Sequence, residues 1–198
     1  MFAQELPRDK QFIKDKYNIK LNYGIVYSGW SVKEAGEWTH LHSMGLEFNY
    51  GFTKWLDAGV FFDFIPIEGV AFHDPDSIVK VFDEDGNLLL ERYYGGWSEH
   101  FYYKTFNYGL SANVHILPLF INPNYSFVDV YITSKIGVQT IYAKQVELLQ
   151  SKFYYSIGAG LGLNFTRKFG LMCEYNYTTT RQITDAGHVM RFGINIRF

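Results

Sequence analysis

The stretch "SIGAGLGLNF", residues Ser156–Phe165, decides the fold class of this chain. Its three glycines stand at alternate positions, with apolar residues between them. A dinucleotide-binding loop needs the spacing G-x-G-x-x-G between a strand and a helix, but Leu163 stands where the third glycine would be. The next strand-like residues, "FGLMCEYNYT", continue a period of two. The stretch therefore predicts a β-strand with one apolar face and one face of glycine and polar residues.

The same two-faced pattern recurs along the chain and predicts eight strands in total. In each segment, apolar and aromatic residues alternate with glycine, asparagine, serine and a few isolated charges. Eight is an even number, as expected for strands that run up and down around a closed barrel. The eight segments are residues 21–28, 44–51, 56–64, 106–116, 128–139, 156–165, 169–177 and 190–198.

Composition excludes several classes of protein. The 198 residues fit one domain, and a net charge of −2 gives no electrostatic basis for binding nucleic acid. No apolar run reaches the eighteen or so residues of a membrane-spanning helix. The single cysteine, Cys173, excludes a disulfide within the chain. Aromatic residues make up 19% of the chain, which is high for a soluble domain and needs an explanation.

The two faces of the predicted strands indicate which side meets lipid. A strand surface that faces water normally carries lysine, glutamate and threonine, whereas the polar face here is mostly glycine, asparagine and serine. Glycine suits a crowded interior, and the apolar face has its aromatic residues near strand ends, as in lipid-facing bands with aromatic girdles. We therefore predict an all-β, transmembrane, antiparallel up-and-down barrel. The alternative is a soluble, lipocalin-like barrel with the apolar face inside.

The predicted connections alternate in length, which also favours a membrane barrel. Short turns are predicted at "FTKW" and "TRK", and an intermediate one at "LPLFINPNYSF". Long connections are predicted at residues 29–38, 65–101, 142–152 and 179–188. Outer-membrane barrels have short periplasmic turns and long extracellular loops. We predict a polar arm at residues 1–19, a barrel at residues 20–198 and an extracellular hairpin loop at about residues 65–101, with strands at 78–82 and 88–93.

The chain resembles small bacterial outer-membrane β-barrel proteins over about residues 20–198. The alternating ending that finishes on Phe198 carries most of this resemblance. It implies that Phe198 belongs to the signal that the barrel-insertion machinery reads. "NYGFTKWLDAGVFF" resembles a turn of transporter barrels, and "ITDAGHVMRFGINIRF" resembles the last strand of an outer-membrane barrel domain widespread in Bacteroidetes. The implied location is the bacterial outer membrane, and "MFAQELP" resembles the start left by a removed signal peptide.

Strand parity predicts the charged residues of the lumen. An eight-stranded barrel is just wide enough for side chains to fill it. Five acids and three bases point inward, and we interpret them as a structural network that plugs the barrel, because unpaired buried charges are costly. A narrow charged pore remains an alternative, as does a small-ligand cavity between the inward glycines Gly24, Gly59, Gly137 and Gly160. The eight inward charges are Glu47, Asp57, Asp63, Asp129, Lys135, Glu174, Arg191 and Arg197.

A catalytic role is the third alternative, because some members of the family that the chain resembles act on lipid A. Nucleophilic catalysis needs a serine and a histidine on the same side, but His40 and His42 share a face with Met44 while Ser43 points the other way. Ser98 and His100 lie in the predicted long loop. We therefore predict no catalytic residue, no metal and no cofactor. The predicted partners are the lipid bilayer with lipopolysaccharide, the insertion machinery, and an extracellular partner through residues 65–101.

Overall fold

A computed structural model describes residues 13–27, 40–72, 78–82, 88–93, 98–120, 127–143, 148–178 and 187–198. These residues form ten strands and one short helix. The elements are β1 (Tyr17–Tyr27), β2 (His40–Gly51), β3 (Leu56–Phe72), β4 (Ile78–Phe82), β5 (Leu88–Tyr93), β6 (Ser98–His115), α1 (Leu117–Phe120), β7 (Val128–Ala143), β8 (Leu148–Asn164), β9 (Phe169–Thr178) and β10 (Gly187–Arg197).

Eight of the strands close into an antiparallel barrel. Their order around the barrel is β1-β10-β9-β8-β7-β6-β3-β2, and β1 pairs with both β2 and β10. The predicted eight-stranded up-and-down barrel is thereby confirmed. We call the end that holds Tyr17 and Phe198 the terminal rim. The opposite end, where β3 and β6 reach Phe72 and Ser98, is the hairpin rim.

The predicted faces of the strands are also correct. In β8, Gly160 is buried whereas its neighbours Ala159 and Leu161 are exposed on the outer wall. Leu110 and Met44 are each 62% exposed, so large apolar side chains cover the outside. The inner face is polar because the pleat sends alternate residues inward. An apolar outer wall around a polar, filled interior inverts the arrangement of a soluble barrel.

Several strands extend beyond their predicted ends. β3 and β6 pair from Leu56↔Val114 to Phe72↔Ser98, so 65–72 and 98–101 belong to strands and not to a loop. β7 and β8 likewise continue their pairing to Ala143↔Leu148, inside the predicted 142–152 connection. Antiparallel hydrogen bonding continues wherever two backbones stay side by side, and it needs no alternation of side chains. The predicted limits followed side-chain alternation and were therefore too short.

Two other predicted boundaries also shift. β1 begins at Tyr17, inside the predicted polar arm, and the predicted intermediate turn contains the helix Leu117–Phe120. The predicted connection at 29–38 lies outside the described residues, as does most of the predicted 179–188 connection, whose last two residues belong to β10.

β4 and β5 form a separate two-stranded sheet, with the strand limits that the sequence predicts. Ile78 pairs with Tyr93 and Lys80 with Glu91. The turn at 83–87 lies outside the described residues, and the extracellular position of this hairpin remains a prediction.

Aromatic rings collect near both rims of the barrel. At the terminal rim, Tyr17 contacts Phe48, Tyr50 and Phe198, with ring centroids 5.2–5.9 Å apart. Backbone hydrogen bonds also join Tyr17 to Phe198 in both directions, which closes the barrel seam at its end. No helix in the described parts of the chain is long and apolar enough to cross a membrane.

Candidate functional site: the barrel interior

All eight predicted lumen residues lie inside the barrel and are buried. The barrel wall brings them together from five strands, because each stands on the inward parity of its strand. They form three layers between the terminal rim and the hairpin rim. The members are Glu47, Asp57, Asp63, Asp129, Lys135, Glu174, Arg191 and Arg197.

The layer at the terminal rim is a chain of hydrogen-bonded charges. His115 Nε2 lies 3.1 Å from an oxygen of Asp57, and its Nδ1 lies 2.8 Å from Asp129. Arg197 donates to the other oxygen of Asp129 at 2.8 Å and to Asn164 at 3.1 Å. Because each ring nitrogen faces a carboxylate, a doubly protonated imidazole can donate to both. This chain links β3, β6, β7, β8 and β10 across the mouth of the barrel.

The middle layer is a square of two lysines and two glutamates. Lys20 Nζ lies 2.8 Å from Glu174 and 3.6 Å from Glu47, so it contacts both acids. Lys135 forms an ion pair with Glu47 and lies 3.8 Å from Glu174. The Tyr131 hydroxyl donates to Glu174 at 2.8 Å. Each charge therefore has two opposite neighbours, which offsets the large cost of removing it from water.

The upper layer pairs one arginine with one aspartate across the lumen. Arg191 on β10 donates to Asp63 on β3 at 2.8 Å, and both side chains are buried. Phe61 and Tyr154 lie in the same part of the interior, with ring centroids 5.6 Å apart. Lys135 Nζ lies 5.6 Å from the Phe61 ring, so this layer continues into the square below.

Apolar side chains follow these charges toward the hairpin rim. Val26, Ile65 and Val189 form a buried apolar cluster from β1, β3 and β10. Ile141 on β7 is also buried, at 1% exposure. These apolar side chains lie beside the buried hydroxyl of Thr105, which pairs with Ile65 on β3 and with Ile141 on β7. The described packing beyond the charged layers is therefore mixed, apolar and polar.

The predicted balance of five acids against three bases is wrong. Lys20 is fully buried in the square, and His115 is buried between two aspartates. Both stand on the inward parity of their strands, two residues from Asn22 and Asn113 respectively, and that spacing could have found them. With a protonated His115, five buried acids face five buried bases among the described side chains, so the buried charges can sum to zero.

The alternating glycines of residues 156–165 make room for this network. A Cβ atom on Gly160 would overlap ring atoms of Tyr131, so the ring lies directly against the glycine. A Cβ atom on Gly59 would likewise overlap Asn49 and the backbone of β2. The space beside these glycines is thus filled by neighbouring groups and not by a ligand-sized opening.

Of the residues considered for catalysis, His42 and Ser43 do not come together. His42 is exposed on the outer wall, whereas Ser43 is buried inside, as their opposite parity predicts. The side chains of His40, Ser98 and His100 lie outside the described set. Among the side chains that the structure describes, no group of three or more histidine, cysteine or carboxylate residues is arranged to hold a metal ion.

The interior can therefore hold opposite walls together through buried, paired charges. Breaking one such pair leaves an uncompensated charge, which typically costs about 3–5 kcal/mol. The site has the chemistry of a structural plug.

No protein-family model matches the sequence, and no curated protein matches it. Solved structures with a similar fold include small bacterial barrels. The N-terminal β-barrel domain of Pseudomonas aeruginosa OprF has a TM-score of 0.53 and 14% identity, covering 93% of this chain and 98% of the other. The outer membrane protein OprG from Pseudomonas aeruginosa has a TM-score of 0.53 and 13% identity, covering 96% and 98%.

A third similar structure is Ail, the attachment invasion locus protein of Yersinia pestis, in complex with the heparin analogue sucrose octasulfate. Its TM-score is 0.50 with 15% identity, covering 94% of this chain and all of the other. At such identities the likeness concerns the fold alone. The chain has the closed eight-stranded fold of small bacterial outer-membrane barrels. Its suggested kinship with a Bacteroidetes domain remains a prediction.

Proposed function

We propose that this chain is a non-enzymatic protein of the bacterial outer membrane, whose plugged barrel anchors extracellular segments in a structural or surface-interaction role. The single observation that carries this proposal is the interior itself. Three layers of paired charge and a buried apolar cluster fill it, while large apolar side chains cover the outside. Only helices and closed barrels satisfy their backbone groups within a bilayer, and this barrel is closed.

The terminal rim would face the periplasm and the hairpin rim the exterior. The described turns at the terminal rim are short, as at residues 52–55 and 165–168, which is typical of periplasmic turns. The β4–β5 hairpin, which follows β3 at the hairpin rim, would then lie outside the cell and offer a surface to a partner. Ail, a barrel of the same fold, was solved in complex with a heparin analogue, which supports a ligand-binding role for this chain. Removal of a signal peptide is part of the same proposal.

The second candidate is a passive channel or transporter for small or hydrophobic molecules. The resemblance of residues 49–62 to transporter barrels favours it. The Arg191–Asp63 pair and the cluster of Val26, Ile65 and Val189 stand against an open aqueous path. An enzyme that modifies lipid A is the third candidate, and the opposite orientations of His42 and Ser43 stand against that pair as its catalytic centre.

Planar-bilayer conductance distinguishes a plugged barrel from an open channel. We expect detergent-folded protein to migrate differently on a gel before and after boiling, because a closed barrel resists SDS until heated. The same preparation should give no steady ion conductance, because charges and apolar groups fill its lumen. Regular conductance steps from protein that passes the gel test would contradict the plug and favour the channel. Unchanged lipid A mass in cells that express the protein would exclude the enzyme.

A further inference from the structure

Two tyrosine–histidine pairs of the same construction lie on the outer wall toward the hairpin rim. In the first, the Tyr23 hydroxyl is hydrogen-bonded to Nδ1 of His42. The two rings are stacked, with centroids 5.5 Å apart and planes at 26°. Tyr23 lies directly opposite Met44, so His42 is its diagonal neighbour on β2.

The second pair repeats this arrangement between β9 and β10. Tyr175 lies opposite Met190, and its hydroxyl is 2.7 Å from Nδ1 of the diagonal neighbour His188. The rings are again stacked, with centroids 5.5 Å apart and planes at 20°. Tyr177 contacts the same imidazole edge-on at 5.5 Å. The strand pairs β1–β2 and β9–β10 thus carry the same tyrosine–histidine motif at equivalent positions.

The hydrogen bond at Nδ1 determines whether the other ring nitrogen, Nε2, is a donor or an acceptor. When the phenol donates to Nδ1, the neutral imidazole carries its hydrogen on Nε2, and a protonated imidazole carries one there as well. In both states Nε2–H is a donor. With the phenol as the donor to Nδ1, stacking on the tyrosine holds the ring on the wall, and each histidine presents its Nε2–H in a set position.

These histidines stand out chemically from their surroundings. The outward positions of β9, β10, β1 and β2 with described side chains include no lysine, arginine or carboxylate side chain. The remaining outward groups there are apolar or aromatic residues and Cys173. His42 and His188 are therefore the only side chains among them that can carry a positive charge.

Their height on the barrel places them near a membrane surface. His42 is level with Ile25 and His188 with Tyr27, eight and ten residues along β1 from Tyr17. With a rise of about 3.3 Å per residue and a tilt of about 40°, these distances correspond to about 20 and 25 Å along the axis. The apolar band of such barrels is about 25 Å tall. With Tyr17 at one edge of that band, His188 lies at the opposite edge, where lipid headgroups begin, and His42 lies about 5 Å inside it.

We propose that His42 and His188 are two recognition points for phosphate monoesters of lipid headgroups. The proposal rests on the membrane placement proposed above. Phosphate oxygens accept hydrogen bonds strongly from imidazole N–H groups, more so when the imidazole is charged. β1 separates β10 from β2, so the imidazoles stand about 10 Å apart across the strands. Each pair therefore binds its own phosphate group.

Native mass spectrometry of the detergent-folded chain tests this proposal. The probes are phosphatidic acid and diacylglycerol with the same acyl chains. We expect phosphatidic acid to be retained and diacylglycerol to be lost. His42→Phe and His188→Phe should each weaken retention roughly tenfold at one site, as expected for losing a hydrogen bond to a charged group. The double variant should bind both lipids alike. Tyr108→Phe is the matched control, since it removes an outward hydroxyl near Thr140 and should change nothing.

Two results would overturn the proposal. One is a double variant that retains phosphatidic acid as well as the parent protein does. The other is inorganic phosphate that displaces the lipid at equal concentration, which would make the pairs a site for free phosphate. The heat-dependent gel shift, measured on every variant, reports separately whether the barrel has folded. Failure of this proposal is therefore distinguishable from failure of the membrane assignment.

Discussion

At the scale of single residues, the inward glycines of this barrel leave space that particular neighbouring side chains fill. The alternation in residues 156–165 predicts that Gly160 points inward. It does not predict that the Tyr131 ring fills the space beside it, because the register of β8 against β7 decides that contact. Strand parity is a local property of the sequence, whereas the occupant of each glycine gap depends on a neighbouring strand.

Gly160→Val should destabilise the barrel. The added side chain would overlap the Tyr131 ring, and overpacking of an interior typically costs about 1–3 kcal/mol. Ala159→Val is the matched control, since the neighbouring residue faces outward on the same strand and should tolerate the change. Urea unfolding in detergent measures both. Equal stability of the two variants would contradict the packing of Tyr131 against Gly160.

The square of charges predicts strong coupling between Lys135 and Glu47. Lys135→Met leaves two glutamates with Lys20 alone, and Glu47→Gln leaves two lysines with Glu174 alone, so each should cost about 3–5 kcal/mol. The double variant should cost less than the sum by about 0.5–3 kcal/mol, because the Lys20–Glu174 pair remains.

Urea unfolding in detergent also measures the coupling free energy between Lys135 and Glu47. Ile136→Met, at an exposed position beside Lys135, is the control and should leave the free energy of unfolding nearly unchanged. Strictly additive costs would show that Lys135 and Glu47 do not interact.

At the scale of elements, the strands are longer than side-chain alternation indicates. Alternation marks only the part of a strand with two different environments, whereas backbone pairing of β3 with β6 continues to Phe72 and Ser98. The separate strands β4 and β5 were predictable to the residue, because a turn signal separates two short runs rich in apolar residues. Helix Leu117–Phe120 was not predictable, since one turn is too short to show a period.

The last strand carries a prediction about assembly. Phe198→Ala should lower the fraction of the protein that reaches the outer membrane as a heat-modifiable barrel, because the terminal phenylalanine is expected to be read during insertion. Refolding in detergent should be much less affected, because the backbone bonds between Tyr17 and Phe198 remain.

Phe169→Ala is the control for the assembly experiment. Phe169 lies on the neighbouring strand at the same rim, opposite Ile196, and is similarly exposed. Equal loss of assembly in both variants would indicate a general effect of the aromatic belt and no special role for Phe198.

At the scale of the whole molecule, the distribution of polar and apolar groups is the property that matters most. Composition and parity predicted the apolar outside and polar inside, because every strand repeats the same pattern. They did not predict where along the axis the three charged layers and the apolar cluster of Val26, Ile65 and Val189 lie. That placement arises from how the strands are staggered around the closed barrel, and a single strand does not encode the stagger.

The natural cysteine allows the most direct test of this distribution. Cys173 lies on the outward face of β9 between Leu171 and Tyr175 and is a free thiol. Labelled with a fluorophore, the folded protein in lipid vesicles should be quenched by lipids that carry bromine on their acyl chains and not by aqueous iodide. Quenching by iodide alone, from protein that is soluble without detergent, would contradict the membrane barrel and show that the outer wall faces water.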